Sequence, residues 1–160
     1  MTQVQALRRI AAGEVTFPVS AEQGAARQAV LVASLKLFAE RGYAGASMRD
    51  IATAVGVKPA SIYSHYASKE QILLELLRVG HQEHFSSASA AVAAAASTPE
   101  DRMAAFVRAH VLVHTDYPML TTVVNTELHS LSAEAAGPIL EIRSRSEGLL
   151  SDIIDEGVQA

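Results

Sequence analysis

The 160-residue sequence predicts an all-α protein, and three of its features carry that prediction. Apolar side chains recur at intervals of three and four along most of the chain, the spacing that lines one face of an α-helix. Polar residues that cap helix N-termini stand directly before several of these runs, at Ser47, Ser68 and Thr98. No run alternates polar and apolar for long, although Met119–Val124, reading MLTTVV, has enough β-propensity to compete.

Residues 1–22 mix Gly, Pro, Ser and Gln with little periodicity and read as a flexible arm. A first helix follows from Ala25 to Glu40, with Val30, Ala33, Leu37 and Leu31, Leu35, Phe38 on a broad apolar face and Gly42 at its C-terminal end. Ser47 has Asp50 three residues on, close to capping-box spacing, before a short helix in which Ile51, Ala52 and Val55 share a face. Gly56 permits a tight turn, Val57 is expected to anchor that turn in the core, and Pro59 suits the first turn of the next helix. In that helix Ile62 and Tyr66 face inward at i, i+4, while Lys58, Ala60, Ser61, Tyr63, Ser64 and His65 turn outward. Two short helices joined by a glycine turn make a helix-turn-helix, whose second helix presents a small, hydroxyl-rich surface of the kind that enters a DNA major groove.

Ser68-Lys69-Glu70-Gln71 has full capping-box spacing, so a long helix starts there and carries Ile72, Leu73, Leu76, Leu77 and Val79 toward Phe85. Lys69 then lies beside the positive end of the helix dipole, which costs about 0.3–1 kcal/mol if nothing offsets it. A DNA phosphate at this helix N-terminus would offset it; the plain alternative is a solvated side chain near Glu70.

An Ala/Ser-rich stretch, SSASAAVAAAASTPED, follows as helix tail or linker. Thr98 with Pro99, Glu100 and Asp101 starts a helix that runs to about Thr115, where Asp116-Tyr117-Pro118 interrupts it. Met119–Leu131 and Ile139–Glu156 read as two more helices, with Gly137-Pro138 separating them or kinking the second.

Cysteine is absent, which excludes disulfides and thiolate chemistry, and no segment reads as secretory or membrane-spanning, so a cytoplasmic protein is expected. The net charge of −4 conceals a polarity. Residues 23–80 hold seven Lys/Arg against four Asp/Glu, whereas residues 81–160 hold four against eleven. A basic end on an acidic body is the balance of a nucleic-acid-binding unit joined to something else.

The stretch AVLVASLKLFAERGYAGASMRDIATAVGVKPASIYSHYASKEQILLELL strongly resembles, without a gap over about fifty residues, the N-terminal DNA-binding domain of the tetracycline-repressor (TetR) family of bacterial transcriptional regulators. The resemblance implies an N-terminal three-helix DNA-binding domain over residues 23–70 and a helical effector-binding and dimerisation domain over 71–160. It implies that Ser47, Tyr63, His65 and Lys69 touch the DNA backbone, and that Lys58, Pro59, Ala60 and Ser61 lie where base edges are read. Tyr43 matches a family aromatic that packs the first helix on the motif, and Arg49 either reaches a phosphate or solvates its face. The family also implies a further long helix after residue 160, so the second domain is expected to be truncated. Dimerisation then falls to the 139–156 helix, with Ile139, Ile142, Leu149, Leu150, Ile153 and Ile154 as its apolar stripe.

The segment NTELHSLSAEAAGPILEIRSRSEGLLSDIIDEGV resembles sensor domains of TetR-type regulators of lipid or acyl-coenzyme A catabolism. Phe85, Met103, Phe106, His110, His114, Tyr117, Asn125 and His129 are the candidate lining of a pocket for a small, partly hydrophobic effector. The expected function is a repressor that binds an inverted-repeat operator as a dimer and is released by that effector, with no cofactor. The alternative is a metal-binding module or hydrolase centred on His110 and His114, which with His81 and His84 have helical metal-ligand spacing. Against it stand the absence of an H-E-x-x-H signature, a G-x-S-x-G elbow and a phosphate loop.

Overall fold

The computed structural model describes residues 14–18 and 24–160, and these form seven α-helices with no strand among the described residues. Of the expected arm, residues 14–18 lie along the body, with Val15 and Phe17 against the core and the Thr16 hydroxyl donating to the Asp116 carbonyl. The rest of the arm lies outside the described residues.

Helix α1 (Ala25–Arg41) ends at Gly42, whose N–H returns to the Phe38 carbonyl. Helix α2 (Met48–Val55) opens on the expected capping box: the Ser47 hydroxyl accepts from the Asp50 N–H at 3.2 Å, and the Asp50 carboxylate accepts from the Ser47 N–H at 2.8 Å. Gly56 closes α2 in the left-handed conformation (φ 80°), which a Cβ would strain. Helix α3 is only Pro59–Tyr63. Ile62 and Tyr66 are both buried as expected, but Tyr66 lies beyond the end of the helix, held by its N–H to the Ile62 carbonyl at 3.0 Å. Val57 does not anchor the turn: it is 40% exposed, and the burial comes from Ile51, Ala52 and Ile62 instead.

Helix α4 (Lys69–Ala94) takes in the Ala/Ser stretch as far as Ala94, because alanine carries no side-chain entropy cost, and the remainder leads to the Thr98 cap of the next helix. Helix α5 (Pro99–Asp116) starts on Thr98, which accepts from the Asp101 N–H. The MLTTVV segment is helical, within α6 (Pro118–Thr126). Tertiary packing overrides its β-propensity: Met119, Leu120, Thr121, Val123 and Val124 are all buried. The helix expected from Met119 to Leu131 therefore ends early, at Thr126, and a 3₁₀ turn covers Leu128–Ser130. Helix α7 runs Ala133–Gln159, starting six residues before the expected Ile139 because Ser132 caps it. Pro138 is inside it, and the exposure of Pro138 and Glu134 leaves the carbonyl that loses its partner on the solvent side.

One core runs unbroken from the helix-turn-helix into the body, joining Leu31, Phe38, Ile51, Ile62 and Tyr66 to Leu73, Leu76, Leu120, Val124 and Ile139. A second cluster at the far end unites Ala88, Val92, Phe106, Ala109 and Ile153. Long α4 belongs to both and is covered by α5, α6 and α7. The expected dimer stripe is corrected here: Ile139 and Ile153 are buried within the subunit, Ile142, Leu149 and Leu150 are half-buried, and only Ile154 is well exposed.

Candidate nucleic-acid interface and effector cavity

The basic end presents a coherent face. Lys58, Pro59, Ala60, Ser61, Tyr63 and Ser64 are all exposed, Tyr63 by 54%, while Ile62 and Tyr66 fasten the same segment to the core. His65 is half-buried, and its carbonyl accepts from Arg27, whose guanidinium lies 4.4 Å from the Tyr66 ring centroid. Arg49 is exposed on α2. Ser47 is exposed too, and its hydroxyl donates to Asp50 at 2.6 Å. That bond and the one from the Ser47 N–H hold the Asp50 carboxyl below its ordinary range.

Lys69 has partners that the sequence did not reveal. Its ammonium donates to the carbonyls of Tyr43 and Ala46, each at 2.7 Å, and sits 4.1 Å from the Tyr43 ring centroid. Two carbonyls and a ring face supply the negative potential that offsets the helix dipole, with no phosphate needed. One of the three ammonium N–H bonds remains for another acceptor. Tyr43 packs edge-on against Phe38, with centroids 5.4 Å apart.

The body holds a cavity of about 280 Å³ between α4, α5, α6 and α7. It gathers four of the expected effector residues, Phe106, His110, His114 and Asn125. The other four lie elsewhere. Phe85 is stacked under Arg145, Met103 faces an open α5–α7 groove, Tyr117 lines a shallow α4–α5 cleft, and His129 is exposed on the 3₁₀ turn. In their place come His81, His84, Arg143 and Ser146. Sequence periodicity put both histidines on one face of α4 but did not say what that face meets, and Arg143, four residues before Glu147, looks like half of an ordinary surface pair.

Hydrogen bonds order the polar wall. His114 Nδ1 is 2.8 Å from the His110 carbonyl and must donate to it, which leaves Nε2 to accept from the Asn125 amide at 3.4 Å. His84 Nε2 and His110 Nδ1 are 2.9 Å apart, so one donates and the other accepts, and His84 Nδ1 faces the Ser146 hydroxyl at 3.4 Å. Burial lowers the pKa of His84 and of His110, and neighbouring imidazoles add to the effect. His81 is lowered furthest, to about 4, by burial first and by the positive charge of Arg143 next. His81, His84 and His110 are therefore neutral at pH 7. Among the described residues no three His, Asp or Glu side chains are disposed to share a metal ion, so the metal-centred alternative gains nothing from the geometry. No helix among the described residues is long and apolar enough to cross a membrane.

The fold matches known proteins. The family described as "Bacterial regulatory proteins, tetR family" matches residues 30–76, and "Tetracyclin repressor-like, C-terminal domain" matches residues 96–160. The HTH-type transcriptional repressor KstR2 of Mycobacterium tuberculosis is 24% identical over 142 residues, covering 88% of this chain and 70% of that protein. A bacterial regulatory protein of the tetR family from Rhodococcus RHA1 superposes with a TM-score of 0.80 at 29% identity, over 86% of this chain and 72% of that one. The TetR family regulator PfmR from Thermus thermophilus does so with a TM-score of 0.75 at 28% identity, over 81% and 70%. With a capped helix-turn-helix at one end, a helical cavity at the other and family matches over both, this chain belongs to the TetR family of bacterial transcriptional regulators.

Proposed function

We propose that the protein is a transcriptional repressor whose α3 face reads operator DNA and whose four-helix cavity receives the small molecule that releases it. The observation that carries the reading is the exposed row Lys58–Ser61, Tyr63 and Ser64, held rigid from behind by Ile62 and Tyr66. Lys58, Pro59, Ala60 and Ser61 take the base-edge positions; Ser47, Arg49, Tyr63, His65 and Lys69 take the backbone positions, Lys69 through its remaining N–H. Phosphate contacts would set affinity and salt dependence, and the α3 row alone would discriminate sequence.

Reading an inverted repeat takes two copies. For the homodimer we favour the outer face of α7, where Leu140, Ile154 and Val158 are exposed, continued by exposed Val107, Val111 and Leu112 of α5. Six large apolar side chains exposed along two adjacent helices favour burial against a second copy.

Fluorescence anisotropy on the DNA upstream of the protein's own gene, across a salt series, tests the reading. Wild type is expected to bind selectively over random DNA. Tyr63→Phe should weaken binding, and Lys69→Ala should weaken it and flatten the slope of log K against log salt by about 0.9, the value of one phosphate contact. Wild-type binding no tighter than to random DNA would sink the proposal, and an unchanged slope would confine Lys69 to its internal carbonyls.

A further inference from the structure

We propose that the four-helix cavity is built for a short-chain carboxylate, its anionic head between Arg143 and His81 Nε2 and its hydrocarbon against Phe106, Val113, Val124 and Leu150. The inference rests on the effector reading above and narrows it to a chemical class.

Two groups at the polar end have hydrogen-bonding capacity to spare. Among the described residues His81 Nε2 is buried with no hydrogen-bond partner, and a buried polar nitrogen left in that state is destabilising until something fills it. Among the described residues Arg143 has one ion pair, to Glu147 of the same cavity wall at 3.6 Å, too long for a hydrogen bond, so the guanidinium keeps donors for an anion in the cavity that His81 also lines. The Arg143 charge, after burial, opposes protonation of His81, so the imidazole lies within that positive field. A carboxylate answers both: it accepts from the guanidinium and from an imidazole N–H, and its charge cancels that field.

The other imidazoles do not compete for this role. His84, His110 and His114 are satisfied by one another, by Ser146, by Asn125 and by the His110 carbonyl. The apolar end sets the length. A volume of about 280 Å³ lies at the small end of ligand pockets. That suits a carboxylate head with a short tail better than a long acyl chain or a polycyclic ligand.

Calorimetric titration of the full chain, without DNA, with butanoate, hexanoate, dodecanoate and hexanamide tests this directly. Hexanoate is expected to bind, dodecanoate to bind far more weakly, and the neutral, isosteric hexanamide to lose about tenfold or more, the worth of a charge-assisted hydrogen bond. Arg143→Gln should erase the preference for hexanoate over hexanamide while thermal melts show the fold intact. His81→Phe should weaken both ligands. Equal affinity for acid and amide, an acid preference surviving Arg143→Gln, or tightest binding of dodecanoate would each overturn the assignment. The anisotropy assay with hexanoate then separates the two readings. Binding without release of DNA leaves the carboxylate site standing and removes its effector role, whereas intact operator binding with no carboxylate affinity rejects the site and keeps the regulator.

Discussion

Lys69 stands at a helix start, where the dipole disfavours a cation, and two backbone carbonyls meet its ammonium there. Its place at a helix start is legible from the Ser68 capping box, and so is the electrostatic question that follows. The carbonyls of Tyr43 and Ala46 that meet it are 26 and 23 residues away in sequence, and no local pattern announces them. His81 is the same lesson in the body: its helical face is legible, its burial is not. Burial there has a pH consequence. The folded chain keeps His81 neutral down to about 4, whereas the unfolded imidazole takes up its proton near 6.5. Between those values the unfolded state binds more protons, so stability rises with pH; the contribution is complete above 6.5 and is lost as pH falls toward 4. The lowered His84 and His110 act in the same direction. Thermal melts from about pH 7.5 down to about 4.5 should show the melting temperature falling, and less steeply in His81→Gln. Parallel profiles for the two proteins would show that His81 is not the group responsible.

At the scale of elements, most helices were legible because their starts are written in local chemistry. Ser47, Ser68 and Thr98 each cap where spacing says they should. Local pattern and structure part where distant packing decides. Helix α6 is such a case, β-branched by composition but helical because its face lies on α4. The crossing is close at Gly80, where a Cβ would stand 2.5 Å from Val124 Cγ2 and 3.3 Å from Leu120 Cγ. Gly80→Ala should therefore push α6 from α4 at a cost of about 1–3 kcal/mol, the range for overpacking a core. Val124→Ala removes the methyl that is struck, so the double variant should recover stability relative to Gly80→Ala alone in urea unfolding. Additive losses in that cycle would mean that the two helices do not meet as described.

At the scale of the molecule, what matters is how a cavity in the body can speak to α3. The segment 127–132 joins α6 to α7, helices that line the cavity through Val124, Asn125, Arg143 and Ser146. The same segment grips the DNA-binding end. Glu127 Oε1 accepts from the Tyr43 N–H at 3.1 Å while its other oxygen accepts from Ser130, and the Ser132 N–H donates to Glu70 at 2.7 Å. Tyr43 and Ala46 in turn hold Lys69. A shift of α6 against α7 thus has a continuous mechanical route to the loop before α2 and to the start of α4, through the core that both ends share. Coupling free energy is reciprocal, so on the proposed reading DNA bound at α3 acts back on this segment. Operator binding should slow amide exchange in 127–132 and α6 of wild type. In Glu127→Ala, where the bond to Tyr43 is gone, that distant protection should vanish, with operator affinity changing by only a few-fold. Persistence of the protection in the variant would place the route elsewhere, in the apolar contacts of α4, and would leave Glu127 as a local brace for the Tyr43 loop.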